Sequence, residues 1–149
     1  MQKENVRIRR LTPNDYDELM ALWRRAGLHS LKPQGRDSRS ALTRQLGSGV
    51  QTILGLEVGG RLAAAVVATH DSRKGWINRL AVDPAHRRKG FATRLIVEAE
   101  KLLRDQGMRV IAALVESDNP ESLALFHKVG YVEIETGIHY LTKRDGTEV

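Results

Sequence analysis

The chain has no cysteine, which excludes disulfides, thiolate metal sites and a cysteine nucleophile. Aromatic residues are scarce at 5% of the sequence, and no strand carries the aromatic ladder of an RNA-binding surface. No apolar run approaches the roughly 18 residues of a membrane span. The opening "MQKENVRIRR" lacks the apolar stretch of a secretory signal, so the expected location is a reducing cytoplasm. Neither GxxxxGK[ST] nor GxGxxG occurs, which removes the two commonest nucleotide-phosphate loops. Acidic residues are outnumbered, 18 Asp and Glu against 24 Lys and Arg, for a net charge of +6. That balance favours anionic partners without distinguishing nucleic acid from a phosphorylated cofactor.

The 149 residues are 41% hydrophobic and 28% charged, as expected of one soluble domain with a single sizeable core. Nothing resembling a repeat or linker divides it, so one domain over 1–149 is expected. "VRIRRL" (6–11) alternates like an exposed-edge strand. Thr12, Pro13 and Asp15 form a capping-box signature. Tyr16, Leu19, Met20, Trp23 and Ala26 then recur at helical spacing up to Gly27. After a loop (28–36), a short helix is predicted from about Asp37 to Leu46. "QTILGLEV" and "RLAAAVVAT" flank Gly59-Gly60 as a hairpin. "GWINRLAV" is a further strand, with Trp76, Asn78, Leu80 and Val82 on one face and Ile77, Arg79 and Ala81 on the other.

The helix after Gly90 is the clearest, with Ala92, Leu95, Ile96, Ala99, Leu102 and Leu103 in one apolar stripe. "RVIAALVE" reads as a strand buried on both faces. Asn119 and Pro120 open another helix that Gly130 closes. "YVEIETGIHYLTK" supplies one or two last strands. The predicted fold is a three-layer α/β domain with a mixed sheet.

Arg87, Arg88 and Lys89 thus fall between a strand and the best helix in the chain. A helix N-terminus carries about half a positive charge and up to four unpaired N–H groups. Gly90 and Ala92 would let an anion approach that backbone closely. A pyrophosphate site and a solvated surface patch both remain open on this physics.

Arg87-x-x-Gly90-x-Ala92, following "LAVDP", resembles the acyl-CoA motif of the GNAT N-acetyltransferase superfamily. "NPESLALFHKVGYVE" resembles that superfamily's C-terminal motif, and the element order agrees over nearly the whole chain. The resemblance implies a mixed, mostly antiparallel twisted sheet flanked by helices, and transfer of acetyl from acetyl-CoA to a primary amine. It further implies that Leu80, Ala81 and Val82 pair with the pantetheine arm. Arg87, Arg88, Lys89, Gly90, Phe91, Ala92 and Thr93 would hold the pyrophosphate, Thr93 with its hydroxyl as well. Asn119 would contact the cofactor near its thiol or simply cap its helix. Phe126 would line the channel or fill the core.

Transfer in this superfamily is direct, and the Val82 N–H is the implied oxyanion donor. Many relatives have tyrosine where this chain has Phe126, and some have glutamate where it has Leu114. A phenyl ring cannot donate a proton, although a thiol of pKa roughly 8–9 leaves with little help. Candidates for the base are Glu116, Asn78 (as a water holder), His127, His139 and Tyr140, each with a plain surface alternative. Arg36 and Asp37 could bind an acceptor's carboxylate and amine, or form a surface capping pair. Competing functions are a non-catalytic acyl-CoA-binding domain and a nucleic-acid-binding module. The expected partner is an amine acceptor, small molecule or protein, with no nucleic acid, membrane or metal, in a monomer or homodimer.

Overall fold

The computed structural model describes residues 5–134 and 138–146. Five strands form one sheet in the order β1-β2-β3-β4-β5: β1 (Val6–Arg10), β2 (Gln51–Val58), β3 (Arg61–His70), β4 (Gly75–Val82) and β5 (Ile111–Ala113). The first four are antiparallel to their neighbours, whereas β5 runs parallel to β4. A parallel partner requires a crossover, which helix α3 (Phe91–Asp105) supplies. Helices α1 (Tyr16–Arg25) and α2 (Arg39–Gly47) precede β2, and α4 (Pro120–Lys128) follows β5.

The local signals hold. The Thr12 hydroxyl accepts from the Asn14 N–H while the Asp15 carboxylate accepts from the Thr12 N–H. This box opens a short 3-10 turn that runs into α1. Ser38 caps α2. Gly59 and Gly60 both take positive φ in the β2–β3 turn, as a tight hairpin of this length demands.

Two cores lie on opposite faces of the sheet. Leu95, Ile96, Ala99 and Leu103 of α3, with Phe126 of α4, pack on Leu54, Leu56, Ala64, Val66 and Ile77. Leu19, Leu22 and Trp23 of α1, with Leu42 of α2, pack on Ile53, Ala65, Val67 and Ala81. The sheet is therefore sandwiched between α1–α2 and α3–α4, a three-layer mixed fold as expected.

Three expectations change. The strand buried on both faces is β3, in which Leu62–Ala68 are all buried. β3 is the middle of the sheet, whereas β5 is an edge and leaves Val110 and Leu114 exposed. The regular alternation along β4 is also broken. Ala65 pairs with Ala81 and Val67 with Asn78, so Arg79 and Leu80 together oppose Val66. Ile77, Leu80 and Val82 consequently face α3, while Arg79 and Ala81 face α1 and α2. Lastly, the strands expected after Gly130 are absent among the described residues: 131–134 and 138–146 form none. Val132, Ile134, Ile138, Tyr140 and Leu141 stay exposed, and 135–137 lie outside the described residues.

Candidate active site

β5 pairs with β4 only along Gly75–Ile77. From Asn78 to Val82, β4 has no strand neighbour on that side among the described residues. The sheet is thus closed at one end of β4 and open at the other. Leu80, Ala81 and Val82, which the resemblance assigned to the pantetheine arm, lie within the open stretch.

The chain leaves β4 through Asp83, whose carboxylate accepts from the Ala85 N–H and pairs with Arg25 at 2.9 Å. Those contacts, the Ala85 N–H foremost, hold the Asp83 carboxyl below the usual carboxylate range. Arg25 closes α1, so α1 steadies the turn that feeds the basic run. Arg87, Arg88 and Lys89 are exposed, with the Lys89 ammonium 3.5 Å from His86 Nδ1. Arg88 (φ 65°) and Gly90 (φ 78°) both adopt left-handed backbone. A Cβ at Gly90 would meet nothing within 4 Å, so the space in front of the helix is open.

Helix α3 begins there without a side-chain cap and without an acidic residue in its first turn. Among the described residues it is alone in this, since α2 and α4 have Ser38 and Asn119 as caps and α1 has Asp17 and Glu18 in its first turn. The N–H groups of Phe91, Ala92 and Thr93 precede the first intrahelical bond, which Arg94 donates to Gly90. An uncapped, acid-free helix start beside three cations fits a diphosphate. Phe91 itself is buried, Ala92 and Thr93 half-buried.

The opposite side of the open stretch is walled by the α1–α2 connection. Asp37 is 7% exposed and the single buried charged residue among those described. It accepts two hydrogen bonds from the Arg79 guanidinium, at 2.5 and 3.0 Å, and one from the Lys32 N–H. The Tyr16 hydroxyl donates to the Asp37 carbonyl at 2.6 Å. Arg79 also lies 4.8 Å over the Trp23 ring. Arg36, next in the chain, is exposed, and its carbonyl accepts from Gln45.

The remaining candidates disperse. Glu116 is exposed beyond the end of β5, and its carbonyl accepts from the Asn119 N–H. Asn119 caps α4 through the Ser122 N–H. Phe126 is buried and meets Tyr131 edge-on at 5.0 Å. The Tyr131 hydroxyl donates to Glu100, and burial pushes that phenol above its usual range. His127 pairs with Glu133 on the surface, and His139 and Tyr140 are exposed. Leu114 is 63% exposed. The Asn78 side chain approaches Thr69 at 3.5 Å.

Residues 16–131 match the acetyltransferase (GNAT) family model. The chain belongs to that family. An acetyltransferase of Sodalis glossinidius (strain morsitans) is 30% identical over 139 residues, covering 93% of this chain and 95% of the relative. An acetyltransferase of Yersinia pestis (strain Pestoides F) is 29% identical, covering 88% and 91%. The fold resembles that of an aminoglycoside N-acetyltransferase, AAC(6')-Iy, solved with CoA (TM-score 0.78, 15% identity, 96% and 98% covered). It also resembles the PaiA N-acetyltransferase of Thermoplasma acidophilum with coenzyme A (TM-score 0.76, 19% identity, 89% and 93% covered). This GNAT protein is accordingly an acetyltransferase, and acetyl-CoA is its family's donor.

Sequence reasoning did not pair Asp37 with Arg79, which places the buried carboxylate against a guanidinium instead of in the open. A signal existed: an arginine in a strand between Ile77 and Ala81 needs a carboxylate when both neighbours are core.

Proposed function

We propose that this GNAT protein transfers acetyl from acetyl-CoA directly to a primary amine, with the donor lying along Leu80–Val82 and its diphosphate at the start of α3. The observation that carries this is the conjunction of an uncapped, acid-free helix start with a strand edge open immediately before it. Backbone N–H groups from Arg88 to Thr93, the Thr93 hydroxyl and the side chains of Arg87 and Lys89 hold the diphosphate. Gly90 lets it reach the backbone. Asn119 and Phe126 flank the thiol end of the cleft. When bound, acetyl-CoA supplies an activated thioester.

The Val82 N–H stabilises the charge that gathers on the acetyl oxygen, the kind of fixed donor that contributes most to such transfers. Glu116 takes the proton of the incoming ammonium, directly or through water. The thiolate leaves without an acid at the Phe126 position, in keeping with its low basicity. The amine enters from the α1–α2 side, because the donor occupies the α3 side. Arg36, exposed beside the buried Asp37, meets an anionic group on the acceptor in this reading. The Asp37 carboxylate acts through Arg79, since both its oxygens are bonded to that guanidinium and one also to the Lys32 N–H.

Thermal unfolding with acetyl-CoA, ATP or pyrophosphate tests the donor site. A ligand at 100 times its dissociation constant stabilises by roughly 2.7 kcal/mol. Acetyl-CoA raises the midpoint above both controls, and Gly90→Glu removes the rise. Equal shifts from all three anions would reduce the basic run to surface charge. A second reading, acyl-CoA binding without turnover, is favoured by Phe126 and Leu114. Turnover of an amine panel (an aminoglycoside, a polyamine, a peptide with a free N-terminus) separates the two.

A further inference from the structure

The bulge in β4 places a residue where the chain resists placing one. Arg79 has φ 48°, a left-handed conformation that disfavours a residue with a Cβ by about five- to thirtyfold. Nothing in β3 demands it, because Val66 opposite is an ordinary buried strand residue. With regular alternation Arg79 would share the face of Ile77, against the apolar side chains of α3. The bulge turns it to the α1–α2 face, where Asp37 grips it through both terminal nitrogens and Trp23 lies beneath it. Asp37 is itself fixed from three sides, by the Lys32 N–H, the Lys32 carbonyl and the Tyr16 hydroxyl.

We propose that Asp37 and Arg79 form a latch that holds β4 in its bulged form and thereby aims the Leu80–Val82 backbone at the cleft, a role that rests on the donor site proposed above. Arg79 is thus a positioning residue. Side-chain and backbone directions in a strand repeat every two residues, so losing the extra residue reverses everything beyond it. Leu80 and Val82 would leave the α3 face, and the N–H of Val82 would exchange places with that of Ala81. The α1–α2 connection, 42 residues away in sequence, therefore sets the geometry of the donor edge as well as walling the acceptor side.

The test compares two double variants, Asp37→Asn/Arg79→Gly and Asp37→Asn/Arg79→Ala. Both lack the latch, and neither leaves a buried charge unpaired. They differ in whether residue 79 holds positive φ without strain, as only glycine does. Coenzyme A affinity is measured by calorimetry, and amide exchange is followed at residues 78–82 and in α3. The glycine variant binds coenzyme A at least about fivefold more tightly than the alanine variant, since affinity scales with the fraction in the competent form. Exchange at Leu80–Val82 rises in the alanine variant alone, while α3 stays equally protected in both. Equal affinities together with equal exchange overturn the latch. A pair with only a structural role lowers the unfolding free energy of both variants without separating them at 78–82. If the wild-type protein does not bind coenzyme A, the donor site falls, and the exchange comparison alone decides the latch.

Discussion

Gly75 opens β4 where that strand meets β5, and helix α3 passes directly over it. A Cβ at this position would stand 2.8 Å from Leu103 Cδ1 and 3.2 Å from its Cδ2 and Cγ, well inside the roughly 3.5–4.0 Å of a comfortable carbon–carbon contact. Leu103 is fully buried and has no solvent to swing into. Gly75→Ala should therefore force α3 outward, at the typical overpacking cost of about 1–3 kcal/mol. Gly75 is a strand residue without positive φ, so alanine also recovers about 0.5–1 kcal/mol of backbone entropy. With both contributions near the middle of their ranges the net loss is about 1 kcal/mol, or about 2–4 °C in Tm for a domain of this size. Urea unfolding should show a lower midpoint with an unchanged slope. The double variant with Leu103→Ala sharpens the test. Leu103→Ala alone costs about 2.7–5.0 kcal/mol through the cavity it leaves, and the new methyl at 75 partly refills that cavity. The double variant should then be more stable than the sum of the singles by about 0.5–3 kcal/mol. Gly75→Ala at or above wild-type stability, or strict additivity with Leu103→Ala, would refute the reasoning.

Acid should destabilise the fold through two carboxylates held below their usual range. Asp15 is lowered chiefly by its hydrogen bond from Arg9, and Asp83 chiefly by the Ala85 N–H. A depressed folded pKa means stability that is present above about pH 4 and lost as pH falls through the folded values. Tm measured from pH 6 to pH 2.5 should drop below pH 4, and Asp15→Asn with Asp83→Asn should flatten that drop. Asn119→Ala should cost about 1 kcal/mol by uncapping α4. If the same substitution also shrinks the thermal shift produced by acetyl-CoA, Asn119 touches the donor as well as its own helix.

What could be read from the sequence was what local rules decide. The Thr12–Asp15 box, the Gly59-Gly60 hairpin and the stripe of α3 each depend on residues a few positions apart, and each appears where the pattern put it. An apolar run announces burial without saying which strand takes the centre, so "RLAAAVVAT" and "RVIAALVE" could not be ranked until the pairing was known. The faces of β4 depended on Asp37, far away in the chain, which no periodicity encodes. For the site, the glycine and the cations before α3 were visible because they adjoin a helix start in the chain, where cations oppose the helix dipole and so call for an anion. No catalytic base could be singled out, because the candidate acids and bases lie on separate elements and the fold leaves them dispersed.

The two ends of the sheet bear on how copies of this protein behave in a crowded solution. A free strand edge is a template on which another chain can add, and long flat edges seed aggregates. Among the described residues β1 pairs only with β2, and it carries Arg7, Arg9 and Arg10. Arg9 is tied to Glu57 and Asp15, Arg7 pairs with Glu57 at 3.7 Å while remaining exposed, and Arg10 faces water. A second β1 laid alongside would bring like charges together. At the other end β5 is three residues long, too short to hold an incoming strand by its backbone alone. One edge repels and β5 offers too little to grip, which leaves the Asn78–Val82 stretch of β4, beyond the end of β5, as the edge on which an extended chain can add.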